Sequence, residues 1–214
     1  MSLSTQIDAL KAGMADKVPA EALQAMGKAA ADLAASGIAE TALKAGARAP
    51  AFELPDAEGS IVRLSELLKD GPVVLTFYRG QWCPFCNLTL AALQHALPEI
   101  REAGATLVAV SPQTPQSTAA TVKASAIDFP VLSDAGNHIA RSFGLVFSLA
   151  TDMRPIYRDL GVDLPAFNGD ASYELPLAAT YVIGKNGSVA YAFVDSDYTR
   201  RLEPAEIVRI VKAL

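Results

Sequence analysis

The sequence predicts an α/β fold, in which a central mixed sheet is flanked by helices and preceded by a helical extension. Residues 73–110 follow a strand, helix, strand pattern, and the apolar runs at 73–77 and 107–110 are typical of parallel strands covered on both faces. Residues 180–194 contain two apolar runs joined through Asn-Gly, which is a hairpin signal. Residues 1–45 have helical spacing and contain no aromatic residue.

The first 45 residues are expected to form two or three helices. Leu3, Ile7 and Leu10 are spaced to lie on one helical face, and Pro19 and Gly37 are expected to mark helix boundaries. An apolar stripe of this kind has to be buried against something. The helices of residues 1–45 could form a cap packed on the same chain or the interface of a homodimer, and the sequence leaves both alternatives open. Residues 46–214 are expected to form the α/β domain.

The remaining periodicity completes the sheet and its helices. Further short strands are predicted at 52–54, 61–64, 131–132, 180–183 and 189–194, and helices near 84–103, 115–126, 136–143, 152–159 and 204–213. A βαβ half followed by a ββα half around one sheet is the thioredoxin arrangement. The chain is therefore expected to have a thioredoxin-like fold.

Composition excludes several classes of protein. Hydrophobic residues make up 51% and charged residues 19% of the 214, so a large core can be buried. The net charge is -5 and there is no basic run, which argues against nucleic-acid or anionic-membrane binding. No apolar run approaches the roughly 20 residues that span a bilayer, and no signal peptide is recognised. We expect a cytoplasmic protein, where a Cys-x-x-Cys is catalytic or metal-binding more often than structural.

Both cysteines of the chain stand in one Cys-x-x-Cys, at Cys83 and Cys86. Pro84 suits the first position of a helix, which would make Cys83 the N-cap and place Cys86 in the first turn. Unpaired N–H groups and the helix dipole at that end favour a thiolate, particularly at Cys83. Spacing of three on a helix brings the sulfurs close enough for a disulfide.

Neighbouring side chains complete a candidate pocket. Arg79 precedes the helix and adds positive charge, while Trp82 and Phe85 flank the cysteines with Pro84 between them. A structural zinc site would need four ligands, and only the isolated His95 and His138 are available in addition to the cysteines. We therefore expect no metal, and no nucleotide cofactor because no Gly-rich phosphate loop occurs. The other alternative to a redox-active pair is that Cys83 and Cys86 are two buried thiols without a chemical role.

Several segments together resemble a known family. Residues 82–86, Trp-Cys-Pro-Phe-Cys, resemble the Trp-Cys-x-x-Cys of thioredoxins with a glutaredoxin-like Pro-aromatic pair inside. Residues 46–54, 110–115, 129–134 and 179–183 resemble, in the same order, motifs of the AhpC/TSA peroxiredoxins. The likeness covers about residues 46–214 and implies a thioredoxin-like fold and an antioxidant thiol peroxidase.

The resemblance also implies roles for single residues. Cys86 takes the position of the peroxidatic cysteine, Cys83 replaces a threonine, and Arg79 replaces a proline. The arginine that polarises the peroxide in this family is absent, because its position holds Ala178. Pro176 is the nearest candidate for a thioredoxin-type cis-proline. Residues 197–201 resemble a recurrent segment of the subgroup, for which we expect a salt-bridge or packing role.

Three hypotheses for function remain open. Cys86 attacks a hydroperoxide and Cys83 resolves the sulfenic acid, after which an external reductant such as thioredoxin or glutathione restores both thiols. Alternatively, Cys83 attacks a disulfide of a partner protein and Cys86 resolves the mixed disulfide. Both use one Cys83–Cys86 disulfide. The missing arginine at Ala178 motivates a third hypothesis, a redox sensor without turnover.

Overall fold

The computed structural model describes residues 1–214, which form ten helices and nine strands. The helices are α1 Leu3–Met14, α2 Ala20–Ala35, α3 Ile38–Thr41, α4 Leu64–Asp70, α5 Pro84–Glu102, α6 Pro115–Ser125, α7 His138–Ser142, α8 Met153–Asp159, α9 Leu164–Asn168 and α10 Pro204–Lys212. The strands are β1 Glu53–Pro55, β2 Ile61–Arg63, β3 Val73–Phe77, β4 Thr106–Ser111, β5 Val131–Ser133, β6 Val146–Ser148, β7 Glu174–Pro176, β8 Ala179–Ile183 and β9 Val189–Val194.

Strand β3 lies at the centre of a five-stranded mixed sheet with the order β5-β4-β3-β8-β9. It pairs in parallel with β4 through the crossover helix α5, and in antiparallel orientation with β8. Strands β8 and β9 form an antiparallel pair around the turn at Asn186 and Gly187, whose φ of 81° explains the glycine. The predicted βαβ unit, the hairpin and the mixed α/β fold are therefore confirmed.

Both faces of the sheet are covered, as the continuous apolar strands predicted. Along β3, Val74 faces one core, and Val73 and Leu75 face the other, because alternate side chains of a strand point to opposite faces. The first core is closed by α1, α5 and α10. This packing holds α5 on the sheet and fixes its N-terminus at the end of β3.

The N-terminal helices pack against the same chain. Leu3 and Ile7 of α1 are buried in the core that contains α5 and α10. The backbone N–H groups of Leu3 and Ser4 donate to the Glu203 carboxylate at 3.1 and 2.7 Å. Helix α2 packs by Met26 and its neighbours on α8. These contacts agree with a helical cap on the domain, while homodimerisation stays a prediction.

Some short elements differ from the sequence prediction. The strand predicted over 61–64 ends at Arg63, and Leu64 instead begins α4 and is buried, with its N–H bonded to Phe52 O. Helix α9 and the three-residue pair of β6 and β7 were not predicted, because such short segments show little periodicity. No helix in the chain combines the length and hydrophobicity needed to cross a membrane.

Candidate active site

The loop after β3 delivers both cysteines to the N-terminus of α5. Cys83 is the N-cap and Pro84 opens the helix, as predicted. Gly80 has a φ of 145°, and a Cβ atom there would lie 2.4 Å from Trp82 Nε1. Only glycine therefore allows the loop to turn beneath the indole. Both cysteines are free thiols and both are fully buried.

A buried glutamine that follows the neighbouring strand β4 fixes this loop. The side-chain oxygen of Gln113 accepts from Gln81 N at 2.6 Å, and its Nε2 donates to Thr121 Oγ1 at 3.3 Å. The Asn87 side chain in the first turns of α5 donates back to Gln81 O at 2.8 Å. Gln113 was noted in the sequence only as part of a motif, because its contact partner lies 32 residues away.

Arg79 is a buried cation without a carboxylate partner. Its side chain is 5% exposed, forms no salt bridge, and leaves Nε without a hydrogen-bond partner. Its guanidinium lies 4.9 Å from the Trp82 ring centroid and 4.4 Å from that of Tyr198. Nη2 donates to Cys83 Sγ at 3.7 Å. Aromatic faces and sulfur thus take the place of the usual anion.

A second arginine reaches the other sulfur. Arg201 Nη2 donates to Cys86 Sγ at 3.5 Å, while Nη1 donates to Tyr198 O and Arg200 O at 2.5 and 2.7 Å. These backbone contacts hold the guanidinium in the loop between β9 and α10. Residues 197–201 were expected to have a salt-bridge or packing role, and Arg200 does pair with Asp195, but Arg201 also contacts a cysteine sulfur. Its distance of 115 positions from Cys86 left no local signal for this contact.

The pKa values of the two cysteines are shifted in opposite directions. Burial alone would raise the pKa of Cys86, but a hydrogen bond from Cys83 and the charges of Arg201 and Arg79 hold it well below the ordinary thiol value. Burial raises the pKa of Cys83, and so do its hydrogen bond with Cys86 and the negative charge there. The prediction that the N-cap position favours a thiolate at Cys83 is therefore wrong. Burial at Cys83, and the hydrogen bond and arginine charges at Cys86, place the lowered pKa on the second cysteine.

Of the other predicted pocket residues, Phe85 and Trp82 pack against aromatic rings and Pro84 does not. Phe85 is buried against the Tyr198 ring, 5.6 Å between centroids, and Trp82 meets Tyr157 edge-on at 5.5 Å. Pro84 is exposed at the helix start.

Residues considered for other roles lie away from the sulfurs. His95 and His138 are exposed. Pro176 lies in β7, and the chain contains no cis peptide bond, so it is not a cis-proline. No three residues among His, Cys, Asp and Glu are grouped as metal ligands.

Comparison with known proteins identifies the family of the chain. The sequence model of the AhpC/TSA family matches residues 45–192. The chain belongs to the AhpC/TSA family. The match begins at the end of the helical extension, so α1, α2 and α3 lie outside the part that the family shares.

Individual members of the family are moderately similar. The chain is 35% identical over 116 residues to the Mycobacterium tuberculosis protein MT1643, named as a candidate peroxiredoxin, covering 54% of this chain and 75% of that protein. It is 30% identical over 148 residues to chloroplastic peroxiredoxin Q of Sedum lineare, and the match covers 69% of this chain and 67% of that protein.

Solved structures of AhpC/TSA relatives share the fold. The peroxidoxin BcpB of M. tuberculosis superposes with a TM-score of 0.64 at 26% identity, covering 80% of this chain and 98% of that one. Peroxiredoxin Q of Xanthomonas campestris superposes with a TM-score of 0.60 at 19% identity, covering 79% of this chain and 97% of that one. At this identity the likeness shows the fold alone. The thioredoxin-like fold predicted from the sequence is thereby confirmed.

Proposed function

We propose that this thiol-dependent peroxidase reduces hydroperoxides at Cys86 and resolves the product with Cys83. The observation that carries the assignment is the contact between Arg201 Nη2 and Cys86 Sγ at 3.5 Å. It supplies positive charge at the one sulfur whose pKa is lowered. A low-pKa thiolate is the reactive form of cysteine.

The cycle balances with the residues present. The Cys86 thiolate attacks the terminal oxygen of ROOH, the O–O bond breaks, and the leaving alkoxide takes a proton to become ROH. Cys86 is thereby oxidised to a sulfenic acid. Cys83 then attacks the sulfenic sulfur, forms the Cys83–Cys86 disulfide and releases water, its thiol proton leaving with the hydroxide. An external dithiol reduces the disulfide and is itself oxidised.

Arg201 and Arg79 act on the charge that develops in the first step. Negative charge moves from sulfur to the leaving oxygen, and a guanidinium held by the protein stabilises that charge without reorganising solvent. Ala178 leaves the family position for this function empty, and Arg201 approaches Cys86 from the loop before α10 instead. The missing arginine at Ala178 was the reason for the sensor hypothesis, and the guanidinium of Arg201 at Cys86 removes that reason.

The finer assignments follow from the same chemistry. The reductant is a dithiol protein such as thioredoxin, or glutathione, and no resident cofactor takes part in the cycle. A reducing, cytoplasmic compartment suits two thiols that have to be reduced after every turnover. Homodimerisation stays a prediction, and the cycle as written uses residues of one chain only.

Two measurements test the proposal. In an assay with NADPH, thioredoxin reductase and thioredoxin, hydrogen peroxide should sustain NADPH consumption, whereas activity on insulin disulfides alone would support the disulfide oxidoreductase instead. Sulfenic acid should be trapped after peroxide treatment in Cys83→Ser, which keeps Cys86. An adduct only in Cys86→Ser would reverse the order of the two cysteines.

A further inference from the structure

Each sulfur of the pair is contacted by its own guanidinium group. Arg201 Nη2 donates to Cys86 Sγ at 3.5 Å, and Arg79 Nη2 donates to Cys83 Sγ at 3.7 Å. The two arginines come from different loops, Arg79 from the loop after β3 and Arg201 from the loop after β9. The peroxide step takes place at Cys86, so it explains why a guanidinium contacts that sulfur. It does not explain a second guanidinium on the sulfur of Cys83.

Arg79 is a buried cation with no carboxylate beside it. The residue is 5% exposed, it takes part in none of the salt bridges of the chain, and its Nε has no hydrogen-bond partner. Buried charges are normally paired, because a charge that leaves water loses its hydration. A guanidinium kept at this position without a carboxylate therefore indicates an anion that forms, during the reaction, at the sulfur it contacts.

Two aromatic rings hold this guanidinium in place. Its central carbon lies 4.9 Å from the Trp82 ring centroid and 4.4 Å from that of Tyr198. Trp82 is itself fixed by an edge-on contact with Tyr157 at 5.5 Å between centroids. Tyr198 makes the same kind of contact with Phe85 at 5.6 Å. Aromatic faces attract a cation without neutralising it, so the charge of Arg79 stays available to a sulfur and is positioned before that sulfur ionises.

The charge on Cys86 decides when Cys83 can ionise. In the reduced protein, burial raises the pKa of Cys83, and so do its hydrogen bond with Cys86 and the negative charge there, while the charges of Arg79 and Arg201 act in the opposite direction. Burial also raises the pKa of Tyr198, so its hydroxyl adds no charge at neutral pH. After the peroxide step Cys86 is a neutral sulfenic acid, and its negative charge no longer opposes ionisation. The guanidinium at Cys83 then favours the thiolate in the step that requires it.

We propose that Arg79 is a catalytic residue of the resolving step, in which it stabilises the negative charge on Cys83 Sγ. The inference rests on the proposed function and adds a residue to its second step. Cys83 loses its proton, and a lone pair of its sulfur forms the S–S bond with Cys86 as the S–O bond of the sulfenic acid breaks. The leaving hydroxide takes the proton and becomes water. The same contact stabilises Cys83 when the external dithiol releases it from the disulfide as a thiolate.

Following the two steps separately tests this role. Sulfenic acid on Cys86 is trapped at successive times after rapid mixing of the reduced protein with hydrogen peroxide, without a reductant. In Arg79→Gln its decay to the disulfide should be about tenfold slower or more, because a positioned charged donor is lost, and its formation should change less. Arg79→Lys should recover part of the decay rate, and Arg201→Gln should slow formation more than decay. Unchanged decay in Arg79→Gln, or formation slowed as much as decay, would overturn the proposal.

The pH dependence of the decay distinguishes lost charge from lost packing. The decay should accelerate as the pH rises and Cys83 ionises, and in Arg79→Gln this acceleration should occur at higher pH. The variant should therefore approach the wild-type rate in alkali, whereas slow decay at every pH would mean that Arg79 only packs. The matched control is Arg154→Gln, which should leave both steps unchanged. Arg154 also stacks on an aromatic ring, 4.2 Å from the centroid of Tyr173, and donates to neither sulfur.

A titration of Cys83 separates this inference from the peroxidase assignment. In Cys86→Ser, Cys83 is the only cysteine, and the serine is neutral like the sulfenic acid. Adding Arg79→Gln to this variant should raise the pH at which thiolate absorbance appears, and adding Arg154→Gln should leave it unchanged. Identical titrations of all three proteins would overturn the role of Arg79 even if peroxide is reduced. If the titration shifts but the wild type forms no sulfenic acid, the peroxidase assignment fails and with it the resolving step, while the effect of Arg79 on Cys83 stands.

Discussion

The guanidinium of Arg201 lies 3.5 Å from the Sγ atom of Cys86, although 115 positions separate the two residues. Tyr198 O and Arg200 O accept from its other nitrogen, so the loop itself aims the side chain. In the resemblance to the family, Ala178 occupies the position of the family's arginine. In the structure, the guanidinium near Cys86 comes instead from Arg201, in the loop between β9 and α10.

Replacing that guanidinium should impair the peroxide step. Arg201→Gln is expected to lower kcat/KM for hydrogen peroxide by about a hundredfold or more, because it removes a charged donor at the site where negative charge develops. Arg201→Lys should recover part of the loss. The control is Arg209→Gln, an exposed arginine of α10 paired with Glu206. Full activity of Arg201→Gln in stopped-flow peroxide oxidation would contradict the assigned role.

The hydrogen bond from Cys83 should be visible in the titration of Cys86. Because this bond lowers the pKa of Cys86, Cys83→Ala should raise that pKa, whereas Cys83→Ser retains a donor and should raise it less. The thiolate exists above the pKa, so Cys83→Ala should lose thiolate absorbance at neutral pH and regain it in alkali. Identical ultraviolet titrations of the two variants would mean that Cys83 does not donate to Cys86.

Helix α1 should contribute to the stability of the whole domain. Ile7 is 5% exposed and buried with α5 and α10, so Ile7→Ala is expected to lower the free energy of unfolding by about 2–5 kcal/mol. Asp8→Ala, one position on and exposed, should change it by less than about 0.5 kcal/mol. Urea unfolding of both variants provides the comparison. Similar small changes would mean that α1 is a detachable appendage.

Glu203 should link pH to the attachment of α1. Burial alone would raise its pKa, but the N–H groups of Ser4 and Leu3 lower it below the ordinary glutamate value. Its stabilisation is therefore present above pH of about 4.5 and lost as the pH falls through the lower folded pKa. Glu203→Ala should cost about 1 kcal/mol at neutral pH, as for a lost N-cap, and less in acid.

Hydrogen exchange in α1 measures this effect directly. Protection of the α1 amides should fall in Glu203→Ala at neutral pH and match the wild type once the carboxylate is protonated. Glu206→Ala removes only an exposed pair with Arg209 and should leave α1 unchanged. A pH-independent difference between Glu203→Ala and the wild type would show that the charge does not matter.

Local sequence signals predicted the parts of the fold that depend on local interactions. The apolar run of β3 and Pro84 at the helix start placed Cys83 and Cys86 correctly at the N-terminus of α5. The lowered pKa of Cys86 was not predictable from local signals, because it depends on the hydrogen bond from Cys83 and on the charge of Arg201, which only tertiary packing brings to the sulfur. Leu64 was assigned to a strand because its apolar character fits both a strand and the first turn of a buried helix.

Helix α1 and the loop that carries Arg201 share two attachments. Lys11 Nζ donates to Thr199 Oγ1 at 3.0 Å, and Glu203 accepts from the first N–H groups of α1. These hydrogen bonds are at most part-buried, and segments held outside the central sheet open locally at a lower free energy than its core strands. Inactivation by heat should therefore precede loss of the fold, as a reversible subglobal opening that moves the guanidinium away while the sheet stays intact.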